Sequence, residues 1–161
     1  RGDARQRHDR GGPSALRRVV IDASVALAWC FPDEQSPYAD KVLQELDGCS
    51  VLVPSVWALE ITNGLLVGER RRRIGQSDIL RFIDLLDALS PQEVSVPINA
   101  HFHALLPLGR GYGLSAYDAA YLHTAIRTEA ELATADDALE KAARTAGVPI
   151  MCTSHLRKPR R

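Results

Sequence analysis

The sequence has no apolar run approaching the ~18 residues that a bilayer-spanning helix requires, so no transmembrane segment is expected. It also lacks the apolar stretch of a signal peptide behind its polar, arginine-rich start. Cysteine is scarce. Cys30, Cys49 and Cys152 are odd in number, far apart and set in largely apolar surroundings, the pattern of reduced thiols in a cytoplasmic protein. So few cysteines argue against a structural zinc site, and His101 and His103, two apart on a predicted helix, point in different directions and make no metal pair. There is no internal repeat. What remains is a 161-residue chain with 45% hydrophobic residues, ordinary for one soluble globular domain with a sizeable core.

Net charge is absent too, since 20 Lys and Arg balance 20 Asp and Glu. The balance hides a division. Residues 1–18 carry six Arg against Asp3 and Asp9, a net +4, and residues 155–161 carry Arg157, Lys158, Arg160 and Arg161, another +4. The intervening 136 residues hold the remaining 10 basic and 18 acidic groups, −8 in all. Basic tails around an acidic body either approach nucleic acid or an acidic partner, or simply keep the ends solvated. Residues 1–17 are read as a disordered basic extension, 18–152 as the folded domain and 153–161 as a basic tail.

Val19-Val20-Ile21 is a β-branched run suited to a strand buried on both faces, and Ala23 to Cys30 continues as a helix. Asp22 therefore falls at a strand-to-helix junction, the place where open α/β sheets bind ligands. The same place makes it a good helix N-cap. Ser36-Pro37 supplies the N-cap and first position of a helix to about Leu46, Gly48 ends it, and Val51 to Val53 is a second strand stopped by Pro54. From Ser55 a helix sets Val56, Leu59, Leu66 and Val67 as an apolar stripe, with Glu60, Asn63 and Gly64 at i, i+3 and i+4 as a polar face. Beyond Gly75, Ser77 to Leu89 is amphipathic and Glu93 to Val96 is a third strand. Ile98 to about Leu106 is a helix stopped by Pro107 before a flexible Gly109-Arg110-Gly111-Tyr112-Gly113. Ser115-x-x-Asp118 opens the next helix with a capping-box pattern. Leu132 to Thr134 and Val148 to Met151 are two more strands around a helix from Ala138 to Ala146. Strands alternating with helices predict a three-layer α/β/α fold on a mainly parallel sheet.

The candidate chemistry lies in the acids. Asp22, Asp118 and Asp136 sit at or near helix starts, Glu60 lies inside a helix that must pack on the sheet, and no Lys or Arg is adjacent to any of them in sequence. Each has a simple capping explanation alone; Thr134-x-x-Asp137 repeats the capping pattern and leaves Asp136 as the spare acid. Together they describe carboxylates crowded in one cleft, for which a hard divalent cation such as Mg²⁺ is the usual counter-charge, suited to phosphodiester chemistry. The run Arg70-Arg71-Arg72-Arg73 cannot share one helix face; it is either a phosphate- or acid-binding patch or solvated surface.

In order and spacing, Val-Val-Ile-Asp22-Ala-Ser24, Pro54-Ser-x-Trp57-x-x-Glu60-Ile-x-Asn63, Ser115-x-x-Asp118-Ala-x-Tyr121-Leu and Leu132-Ala-Thr134-x-Asp136-x-x-Leu139 resemble the PIN-domain ribonucleases, and among them the VapC-type toxins of type II toxin–antitoxin pairs. The resemblance spans about residues 18–152. It implies a Mg²⁺- or Mn²⁺-dependent endoribonuclease, homodimeric and restrained by a cognate VapB-type antitoxin. It places Asp22, Glu60, Asp118 and Asp136 in the acidic quartet, with Asp22 and Asp118 as direct metal ligands, Glu60 and Asp136 acting partly through water, and Ser24, Asn63 and Thr134 as supporting polar groups. Arg70 to Arg73 and Arg110 are the candidates for contact with RNA or antitoxin. The neighbouring Asp137 leaves the fourth acid ambiguous by one position, and the basic N-terminal extension has no counterpart in the motifs.

Two other readings compete. Aspartate-based phosphotransfer of the haloacid-dehalogenase type wants a second Asp where Ser24 stands, and a receiver-type site wants a later strand-end Lys that is missing. A catalytically silent RNA- or protein-binding module on the same fold would be favoured by loss of part of the quartet, and all four acids are present.

Overall fold

Val19, Val20 and Ile21 are at most 1% exposed, so the strand they form has to be covered on both faces. A computed structural model, describing residues 16–152, shows how. Strand β1 (Arg18–Ile21) pairs in parallel with β2 (Ser50–Pro54) on one side and with β4 (Glu131–Ala133) on the other, and β3 (Gln92–Val94) adds outside β2, giving the order β3-β2-β1-β4. Between and around the strands run α1 (Ala23–Ala28), α2 (Pro37–Glu45), α3 (Trp57–Arg70), α4 (Gln76–Leu89), α5 (Ile98–Tyr112), α6 (Ala116–Thr128) and α7 (Asp137–Thr145). The result is the expected three-layer α/β/α arrangement. All four strands point the same way, so their C-terminal ends share one edge, and the residues that follow them, Asp22 and Thr134 among others, gather there.

Local chemistry explains most boundaries. The Ser36 hydroxyl accepts from Ala39 N at 3.1 Å with Pro37 in the first turn of α2. The Asp78 carboxylate accepts from Gly75 N at 2.9 Å and starts α4. Arg17, placed by its sequence in the extension, is tied to the domain: its carbonyl accepts from Ser50 N, and its guanidinium pairs with Glu131 at 2.5 and 2.7 Å. Residues 1–15 of the N-terminal extension and the tail from residue 153 lie outside the described residues.

Three expectations are corrected. Pro107 does not stop α5, which runs through it to Tyr112 and ends where Gly113 takes φ +67°. A proline removes one helical hydrogen bond, and α5 buries none of its residues, so water can meet the carbonyl left over at exposed His103. Arg110 thus belongs to a helix rather than to a flexible loop. The fifth strand shrinks to one bridge between Leu132 and Ile150, because Pro149 has no N–H and the Val148 N–H closes the end of α7 on the Ala143 carbonyl.

The third correction concerns the face that α3 buries. Leu59 and Leu66 are 72% and 50% exposed, while Trp57, Ile61 and Gly68 are buried. Gly64 and Gly68 are the close-approach points. A Cβ on Gly64 would sit 2.7 Å from Leu27 Cδ1, and one on Gly68 would sit 2.3 Å from Phe31 Cε1. The two glycines, one turn apart, let α3 lie against α1 and the turn after it. Phe31 is then covered by the Arg73 guanidinium, 4.4 Å from its ring centre, and Arg73 pairs with Asp33 at 2.7 Å and Glu34 at 2.6 Å.

Candidate active site

Asp22 is the deepest of the four acids, 7% exposed at the end of the central strand. It occupies the N-cap position of α1, yet makes no side-chain capping bond. Its Oδ2 instead accepts the hydroxyls of Ser24 at 2.6 Å and Thr134 at 2.7 Å. Both hydroxyls are tied in turn to the segment after β4: Ser24 Oγ accepts from Ala135 N at 3.1 Å, and Thr134 Oγ1 accepts from Asp136 N at 3.0 Å. Tyr38 completes the support, accepting from Thr134 N at 3.2 Å and donating to the Met151 carbonyl at 3.1 Å. Burial pushes the Asp22 carboxyl above its ordinary pKa, the two hydroxyls oppose that, and Asp118 adds to it by repulsion.

Glu60 enters from the first turn of α3, half-buried, its Oε2 accepting a short hydrogen bond from the Tyr121 hydroxyl. Its pKa is raised first by burial and further by Asp22 and Asp118, against the Tyr121 bond. Asp118 lies in the first turn of α6, whose N-cap is Ser115. The Ser115 hydroxyl accepts from Asp118 N at 3.1 Å and donates to Asp118 Oδ2 at 2.7 Å. The capping box anticipated there thus forms only half: the serine caps, and the acid binds the serine's hydroxyl rather than its backbone. Asp22, Glu60 and Asp118 therefore feel one another's charge, and among the described residues no Lys or Arg forms an ion pair with any of them.

At the fourth acid the expected roles are exchanged. Asp136, not Thr134, is the N-cap of α7, its Oδ1 accepting from Leu139 N at 2.8 Å, and Asp137 is the first helical residue. Thr134 is turned toward Asp22 instead. Asp136 joins the site through its backbone, on the same threonine hydroxyl that holds Asp22. Asn63 is exposed on α3, one turn beyond Glu60. Among the described residues no three His, Cys, Asp or Glu side chains stand close enough to hold a metal ion together. The donor chemistry nevertheless fits a hard divalent cation: oxygen ligands only, two carboxyls raised by burial and by the charge of Asp118, and among the described residues no ion-paired Lys or Arg in the way.

The basic candidates divide. Arg73 is committed to Asp33, Glu34 and Phe31, whereas Arg70, Arg71 and Arg72 are exposed, and Arg72 turns the chain at φ +55°. Arg110 lines a cavity of about 570 Å³ with His101, Phe102, Leu105, Leu106, Gly109, Leu114 and Ala116; none of the four acids lines that cavity. Two tyrosines, Tyr121 and Tyr38, carry roles that the sequence reading does not assign. The spacing of Tyr121, three residues beyond Asp118 and so on the same helix face, is the available signal for the first, and nothing local points to the second.

This chain belongs to the PIN-domain family, whose pattern matches residues 19–145. Among solved structures it is similar to PAE2754 from Pyrobaculum aerophilum, with a TM-score of 0.57 and 22% identity over 78% of this chain and 79% of that one. It is also similar to VapBC2 from Rickettsia felis bound to a DNA fragment from their promoter, with a TM-score of 0.55 and 13% identity over 83% of this chain and 97% of the other. FitAB bound to the IR36 DNA fragment has a TM-score of 0.57 and 16% identity over 83% and 93% of the two chains. At such identities the likeness is one of fold. No curated protein sequence matches the chain. No helix among the described residues is long and apolar enough to cross a membrane.

Proposed function

We propose that the protein is a cytoplasmic, Mg²⁺- or Mn²⁺-dependent endoribonuclease, the toxin of a toxin–antitoxin pair with a VapB-like antitoxin. The observation that carries the reading is buried Asp22, held by two hydroxyls at the end of the central strand and facing the charges of Glu60 and Asp118 without an ion-paired cation among the described residues. PIN domains are generally nucleases, which gives such acids a purpose. Asp22 and Asp118 would hold the ion directly, and Glu60 and Asp136 through water. When bound, it would supply Lewis-acid stabilisation of a phosphate oxygen and a water of lowered pKa. Ser24 and Thr134 hold the Asp22 carboxylate by Oδ2, which would leave Oδ1 for the ion, and Asn63, one turn beyond Glu60, is the candidate to orient the attacking water.

A metal-activated water as nucleophile requires cleavage products with a 3′-hydroxyl and a 5′-phosphate, formed with Mg²⁺ or Mn²⁺ and suppressed by EDTA. Mapping the ends of cleaved RNA checks this, and 2′,3′-cyclic phosphate ends would overturn the mechanism. A chain that binds RNA in Mn²⁺ without cutting it is instead the silent binding module.

The antitoxin reading is supported by the VapBC2 and FitAB relatives and by apolar side chains left in water on α3 and α4, Leu59 and Leu66 with Leu80 and Ile83. The homodimer reading is supported by α5, which leaves Ile98, Phe102 and Leu106 exposed at four-residue spacing. Arg70, Arg71 and Arg72, with Arg110, are the contacts for RNA phosphates or for an acidic antitoxin segment. Replacing the first three by Ala should flatten the log–log salt dependence of RNA binding by about 0.7 for each phosphate that is no longer neutralised. An unchanged slope, affinity and antitoxin binding would reduce the run to solvated surface.

A further inference from the structure

Asp118 and Tyr121 lie three residues apart on α6, one turn on along the same face. The Tyr121 side chain is 1% exposed, and its hydroxyl crosses to α3 to donate to Glu60 Oε2. One buried side chain therefore links two of the acids: it shares a helix with Asp118 and bonds Glu60. A phenol with its ordinary pKa of about 10 is protonated at neutral pH, so it can donate this bond.

Glu60 needs such a partner. A glutamate in the first turn of a helix has three rotatable bonds, and Glu60 is only half-buried, so packing alone does not hold its carboxylate in one place. We propose that Tyr121 is a positioning residue of the acidic site, holding Glu60 by Oε2 in one rotamer so that Oε1 is the oxygen offered to the divalent ion or its water. The inference rests on reading these acids as a metal site. Its action is the outer-shell kind: a group that touches no ligand or substrate decides how a ligand is presented.

A buried tyrosine also needs a partner simply because its hydroxyl is buried, so the test must separate orientation from packing. Mn²⁺ binding, read as loss of the free-ion EPR signal, is compared in wild type, Tyr121→Phe, Glu60→Gln and the double variant. Phenylalanine keeps the ring and deletes one oxygen. Tyr121→Phe should weaken Mn²⁺ binding by about 10- to 100-fold, the usual cost of an outer-shell partner, and should change nothing further once Glu60 is Gln. Wild-type affinity in Tyr121→Phe, or the same fold-loss in both Glu60 backgrounds, overturns the inference and leaves the metal site standing. A wild-type protein that binds no Mn²⁺ overturns the metal site itself. If Tyr121→Phe melts below the assay temperature, Glu60→Asp substitutes for it, since a side chain one methylene shorter withdraws from an intact phenol. Wild-type Mn²⁺ affinity in that variant overturns the inference as well.

Discussion

Asp22→Asn and Asp118→Asn should each abolish RNA cleavage and leave a folded protein that gains little stability from Mg²⁺. Wild type should gain RT ln(1 + [L]/Kd), about 2.7 kcal/mol at a hundredfold excess of ion over Kd, and the variants much less. The metal-free proteins should differ in the other direction. Asp22 is a buried carboxyl whose pKa is raised by burial and by Asp118, and Glu60 is raised by burial, Asp22 and Asp118. A carboxyl with a raised folded-state pKa makes the native state bind more protons than the unfolded chain between the two pKa values, so stability falls as pH rises through the folded value. Metal-free wild type should therefore gain stability as pH drops from neutral toward the ordinary carboxylate range near about 4. In Asp22→Asn the gain should be smaller, and at neutral pH that variant should melt no lower than wild type. Asparagine serves at an N-cap about as well as aspartate, so the substitution costs α1 little. Melts of the three proteins in EDTA and in Mg²⁺ decide the matter; equal Mg²⁺ shifts in all three would remove these acids from the metal site.

The second large effect is structural and sits behind the first. Tyr38→Phe should cost about 2–4 kcal/mol, because the missing hydroxyl is both the acceptor for Thr134 N and the donor to the Met151 carbonyl, and a buried group deprived of its partner costs about 1–3 kcal/mol. Tyr38 is 1% exposed, Thr134 and Met151 are 0% exposed, and water cannot easily take the place of the hydroxyl. At about 2–4 °C per kcal/mol for a domain of this size, the melting temperature should fall by roughly 4–16 °C. Cleavage should weaken too, since Thr134 carries one of the two hydroxyls on Asp22. A cost below about 0.5 kcal/mol in chemical denaturation would mean that other partners satisfy both backbone groups.

Much of the site is legible in the sequence because its signals are local. A β-branched run ending on Asp22, a serine three residues before Asp118 and a glutamate early in a helix are short-range patterns, and short-range patterns survive without knowledge of the fold. Three of the misreadings share one cause, which is that the partner lies elsewhere in the chain. Thr134 and Asp136 both stand at a helix start and both can cap; what assigns them is that Asp22, 112 residues away from Thr134, takes the threonine's hydroxyl. The buried face of α3 is misplaced by its sequence pattern because glycine carries no apolar signal, yet Gly64 and Gly68 mark where Leu27 and Phe31 press closest. Arg73 looks like its three neighbours until the fold brings Asp33 and Glu34, about forty residues earlier, against it.

By itself, the sequence determined the alternation of strands and helices, hence the parallel sheet, and the placing of acids where those strands end, because hydrophobic period and capping chemistry act over a few residues. Only the tertiary structure decided which hydroxyl serves which carboxylate, that a phenol from α6 holds an acid on α3, and which arginine is already spent. Those choices depend on long-range neighbours brought within hydrogen-bond distance, and no local pattern encodes them.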